Sequence, residues 1–145
     1  DRETELDKTA HGKQYGAMAH AAIPSAAAKS AAFNSVTVDD LSNTIHSYKC
    51  RGFNESIHTE LLEGFVDEYF DAILKVWNTK GFEIAETTAT LMFPTWAISD
   101  ATVAKAQHWL DVTGKDASHA LRRSVTEGRD AMTRALKARA VDASR

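Results

Sequence analysis

Cysteine, proline and glycine are all scarce in this 145-residue chain. The single cysteine, Cys50, excludes an internal disulfide and suits a reducing cytoplasm, which is the expected location. No apolar run approaches the roughly 18 residues of a membrane span, and no basic–apolar signal pattern is seen, so no membrane partner is expected. Two prolines and seven glycines leave few tight turns. Neither Asn-Gly nor Asp-Gly occurs, and no stretch alternates apolar and polar residues for long, which removes the main signals of β-hairpins. An excess of positive charge is also missing. Twenty acids against 17 bases give a net charge of −3, which argues against a nucleic-acid partner.

What is present favours helix. Alanine, the best helix former, occurs 24 times in 145 residues. With 43% hydrophobic residues the chain has one domain's worth of core-forming sequence, and a chain of this size buries roughly 68–70% of its unfolded surface. Residues 1–145 therefore read as a single helical domain. Asp1 is not methionine, and a piece of a longer polypeptide is expected.

Stripes and caps place the helices. Asp7–Ile23 carries Tyr15, Met18, Ala19 and Ala22 on one face and stops at Pro24. Ser25 can cap a short alanine-rich helix through Phe33. Asp39 or Asp40 opens the next, with Leu41, Ile45 and Tyr48 at helical spacing and Gly52 as its stop. The strongest stripe runs from about His58 to Trp77: Leu61, Leu62, Phe65, Val66, Tyr69, Phe70, Ile73, Leu74, Trp77. It is wide enough to be covered on two sides, and Gly64 is a point where it can break. Gly81 precedes a helix with Phe82, Ala85, Ala89 and Met92, ended by Pro94. Ser99 caps another through Leu110, followed by Gly114. Asp116 or Ser118 opens the last, with Leu121, Val125, Gly128, Met132 and Ala135 on one side. The expected fold is all-α, about seven or eight helices in antiparallel pairs, forming an irregular α-superhelix of the HEAT or armadillo kind.

Charge is unevenly spread. Residues 54–86 carry eight acids against Lys75 and Lys80, and residues 116–145 carry seven bases against four acids. Solvated helix faces account for most such patterns, and a basic C-terminus also complements the helix dipole.

A search for chemistry returns a scaffold. None of the six histidines is followed by Glu, so the H-E-x-x-H zinc motif is missing. His46 and Cys50 stand at i and i+4, but two ligands are too few for a tight site, and Cys50 reads as a small buried residue. No G-x-S-x-G elbow and no Gly-rich phosphate loop occurs. Glu60, Glu63, Asp67 and Asp71 lie a turn apart beside the apolar stripe and read as a solvated face. No catalytic and no metal-binding residue is assigned, and no cofactor is expected in the chain itself. On the last helix Arg123, Glu127, Asp130 and Arg134 can form an ion-pair ladder. The adjacent strip, Arg122, Thr126, Arg129 and Thr133, contains two guanidinium groups and no acid. Arg122 and Arg129 are therefore the candidate peptide-binding residues, because a guanidinium fork can bind a carboxylate bidentately.

The segment ALRRSVTEGRDAMTRALKARA (Ala120–Ala140) resembles the C-terminal end of bacterial, especially actinobacterial, aminopeptidase N. The likeness is collinear through Glu5–Ala21, Ala22–Phe33, Arg51–Trp77 and Met92–Leu110. What the resemblance implies is a zinc metallo-aminopeptidase parent, with zinc held in earlier domains. Its C-terminal α-superhelix curves over the active site, restricts entry and contributes to holding the distal end of a peptide. The implied partners are the catalytic and middle domains of the same polypeptide and peptide substrates. The alternative is a free-standing helical interaction module that shares only composition.

Overall fold

The computed structural model describes residues 10–55 and 59–145, and its elements are all helical. They are α1 (Ala10–Ala22), α2 (Ala26–Val38), α3 (Asn43–Asn54), a 3-10 turn (Thr59–Leu61), α4 (Phe65–Thr79), α5 (Phe82–Leu91), α6 (Asp100–His108), a π-helical turn (Trp109–Thr113) and α7 (His119–Ala143). The all-α expectation holds. The predicted starts at Asp7 and His58 lie outside the described residues. Among the described residues no helix is long and apolar enough to cross a membrane.

Serine hydroxyls open four helices. Ser25, Ser42, Ser99 and Ser118 accept from the backbone N–H of Ala28, Ile45, Thr102 and Leu121 at 3.1–3.3 Å. Two boundaries differ from the sequence reading here. The Ser25 helix continues past Phe33 to Val38, because Ser35 and Val36 are buried by their neighbours. Asp39 then closes that helix, its N–H donating to Ser35, so neither Asp39 nor Asp40 opens α3. At the other end of the chain Ser118, and not Asp116, caps α7.

The long stripe from His58 breaks where Gly64 allows it. Thr59–Leu61 tightens into a 3-10 turn, Leu62 is buried, and the α-helical part begins at Phe65. The Ser99 helix leaves α geometry at His108, and the Gly114 N–H reaches back five residues to Trp109 at 2.7 Å.

The chain divides after Leu62 into two units. In the first, α1 packs mainly on α3, and Phe33 meets Phe53 with ring centres 6.0 Å apart. Gly52 sits at that α1–α3 contact rather than at a helix stop: a Cβ there would collide with the Met18 carbonyl oxygen. Lys29, fully buried, donates to the carbonyls of Ala21 (2.9 Å), Phe53 (2.9 Å) and Gly52 (3.4 Å), joining the ends of α1 and α3. His46 Nε2 donates to Val36 near the end of α2 at 3.1 Å.

In the second unit Tyr69, Phe70 and Phe93 form an edge-to-face cluster with centres 5.1–6.1 Å apart. Gly128 lets α7 approach it, since a Cβ there would press on the Phe93 ring. The Tyr69 hydroxyl donates to Ala89 in the last turn of α5 at 2.7 Å. Burial raises its pKa well above the ordinary tyrosine value.

That shift gives a signed prediction. As pH passes about 10, the unfolded tyrosine ionises while the folded one stays neutral, so the unfolded state binds fewer protons and stability falls. Denaturant unfolding from pH 8 to 11 is expected to show that fall. In Tyr69→Phe the alkaline decline becomes shallower, while stability near pH 8 drops by about 1–3 kcal/mol from the orphaned Ala89 carbonyl. Equal pH slopes in the two proteins would contradict the burial of this hydroxyl.

Candidate functional site

Both arginines singled out from the sequence project from α7 toward α6 and its π turn. Arg122 is half-buried, and its Nη1 donates to the carbonyls of Leu110 (2.6 Å) and Gly114 (2.8 Å). The π turn creates the need for that donor. With the Gly114 N–H directed to Trp109, the Leu110 carbonyl has no helical partner, and Arg122 supplies one. Arg129 is also half-buried; its Nε and Nη2 donate to Asp130 at 3.1–3.2 Å and its Nη1 to Gln107 of α6. The structure thus brings the two arginines to one junction and engages both within the domain.

The neighbouring strip behaves as an exposed ion-pair surface at one point: Arg123 Nε meets Glu127 at 2.9 Å. Asp130 turns instead to Arg129. Sequence reasoning did not find Gln107 at this junction, because it lies on α6 and meets Arg129 of α7 only through tertiary packing. The one local signal was Gly114, which follows the π turn and admits the Trp109 ring; a Cβ there would overlap it.

His46 and Cys50 do come together, in the first unit. The sulfur lies 3.9 Å from both imidazole nitrogens, and both residues are buried. Because a carbonyl can only accept, the Val36 contact fixes the proton on Nε2. Burial pushes the Cys50 thiol up to about 12, so it stays protonated at neutral pH. Among the described residues no group of three or more histidine, cysteine or carboxylate side chains is placed to hold a metal. The pair does not fit a zinc site, which takes three or four protein ligands.

With the geometry in place, comparison with known proteins decides the family. Residues 1–134 match the family model of the ERAP1-like C-terminal domain. The chain belongs to that family. Over 143 residues, 98% of its length, it is 37% identical to the Aminopeptidase N of Streptomyces lividans. It spans 16% of the length of that relative. The collinear resemblance read from the sequence therefore holds along the chain. In this ERAP1-like domain the match reaches into α7 past both Arg122 and Arg129.

The junction makes a testable demand on Arg122. Arg122→Met keeps the aliphatic stem and removes the donors, leaving the Leu110 and Gly114 carbonyls without that partner. The expected cost is about 1–3 kcal/mol in denaturant unfolding. Amide exchange should accelerate most around residues 109–118. An unchanged midpoint with unchanged protection would show that the clamp contributes nothing.

Proposed function

We propose that residues 1–145 form the non-catalytic C-terminal domain of a longer, cytoplasmic, zinc-dependent aminopeptidase that removes N-terminal residues from peptides. The domain covers the active site carried by the catalytic part of that polypeptide and limits what can enter. One observation carries this reading: identity of 37% runs along 98% of the chain to a protein named Aminopeptidase N, within a family described as a C-terminal domain. The chemistry of this chain is consistent with a supporting role, since Arg122, His46 and Lys29 all donate to its own backbone.

The peptide's distal carboxylate is held, in this reading, at the Arg122–Arg129 strip. The two arginines divide the work. Arg122 is committed to the Leu110 and Gly114 carbonyls and positions the junction. Arg129 Nε and Nη2 both donate to one oxygen of a neighbouring carboxylate, Asp130 Oδ1, and an incoming carboxylate can take the two donors with one oxygen each.

The test uses the full-length parent. It should release N-terminal residues from peptides and lose that activity on chelation of zinc. Arg129→Ala should raise KM for tetrapeptides several-fold and leave KM for single-residue amides, which do not extend so far, nearly unchanged. No aminopeptidase activity in the parent would overturn the proposed function. Equal effects on both substrate types would remove Arg129 from substrate binding.

A further inference from the structure

In the first unit the outer surface of α2 is free of charge. From Ala22 to Val38 the sequence holds one charged residue, Lys29, and that residue is fully buried. Ala27, Ser30, Ala31, Asn34 and Val38 share a face at helical spacing, and all five are exposed. Among the described residues α2 is the one α-helix that exposes no charged side chain. Each of the others presents at least one to solvent: Lys13 on α1, Arg51 on α3, Glu68 on α4, Glu83 on α5, Lys105 on α6 and Arg123 on α7. Apolar side chains stand open at both ends of α2, Ile23 just before it at 44% exposed and Val38 at its last position at 61%. Beside α2 lies an open groove of about 220 Å³, shared with α1. Its walls are mostly alanine, with Ile23. His20 and Lys49 are its polar members, and Lys49 already donates to Ser35 at 2.7 Å.

A solvated helix face normally carries charge, whereas the centre of a protein interface is depleted of it. Alanine at the contact also lets a second helix approach closely. The surface therefore suits another helix with an apolar ridge. Size then selects where that helix comes from. With 13 residues α2 is about 20 Å long and a helix is about 10 Å across, so the face covers about 200 Å². A stable complex of separate chains takes about 800 Å² on each partner. A helix of the same polypeptide needs far less, because the covalent link supplies an effective concentration that a free partner lacks. The aminopeptidase relative, of which this chain spans 16%, has most of its length outside the match.

We infer that the outer face of α2, with the adjoining α1–α2 groove, seats the apolar face of a helix that belongs to the same polypeptide outside residues 1–145. The inference rests on the reading of this chain as one domain of a longer protein, and it names a surface by which the domain is held there.

The experiment measures alkylation by N-ethylmaleimide under native conditions in the 145-residue chain and in the full-length parent, read at the labelled peptide by mass spectrometry. Cys50 is fully buried and gives little background. Ala31→Cys, at an exposed position on the groove wall, should react rapidly in the 145-residue chain and at least about tenfold more slowly in the parent. Glu68→Cys on α4 should react alike in both. Adding Ala27→Glu should restore rapid labelling of Ala31→Cys in the parent without lowering the unfolding midpoint of the 145-residue chain. Equal Ala31→Cys rates in chain and parent, equal slowing at Glu68→Cys, or protection that survives Ala27→Glu would overturn the inference. Protection that fades when the parent is diluted, or that grows with the concentration of the 145-residue chain, would assign the face to a second copy and overturn it as well. Protection in a parent without aminopeptidase activity would overturn the proposed function and leave this inference standing; an active parent with the face unprotected would do the reverse.

Discussion

Every helix leaves carbonyl groups at its C-terminal end that it cannot satisfy, and this chain satisfies several of them with side chains from other helices. The common solution is a glycine in the left-handed conformation just past the helix, which turns the backbone onto its own carbonyls. Among the described residues no glycine adopts a positive φ. Donors take over instead. Lys29 serves the ends of α1 and α3, His46 that of α2, Tyr69 that of α5, and Arg122 that of the π turn after α6. Each buried carbonyl left without a donor would cost about 1–3 kcal/mol, so these four side chains fix which helix ends can be buried at all.

Lys29 shows how far that solution is taken. A buried ammonium is expensive unless its hydrogens are bonded, and here it donates to three carbonyls while lying 5.5 Å from the centre of the Phe53 ring. Burial still lowers its pKa, and the charge of Glu55 partly offsets that. The long stem explains the choice of lysine. It lets one residue on α2 reach the ends of two other helices, and its three hydrogens match the three acceptors.

Much of this was legible in the sequence, and the parts that were not share a cause. The serine caps at 25, 99 and 118 are local signals, and so is the break at Gly64. The aromatic stripe of α4 announced its own burial. Gly52 looks like a helix stop in one dimension, yet it is a point of close approach to the Met18 backbone; Gly114 does end the π turn and in addition admits the Trp109 ring. Nothing within a few residues of Gly52 reveals its partner, Met18. Arg122 and Arg129 were found as an acid-free strip on an α7 helical net. Their engagement with Leu110, Gly114 and Gln107 depends on how α6 packs against α7, which spacing along one helix does not encode.

The same economy bears on function. The cations, imidazole and phenol that an active site would use are, at these positions, committed to the fold's own backbone. Arg129, by contrast, is engaged by a side-chain carboxylate, that of Asp130, and by Gln107. The most direct test of the capping account is NMR of the Lys29 ammonium in the intact chain. The account predicts a distinct, slowly exchanging Nζ signal, correlated through hydrogen bonds with the Ala21 and Phe53 carbonyl carbons, and titrating below the ordinary lysine value of about 10.4. A rapidly exchanging signal without those correlations, titrating at the ordinary value, would contradict it.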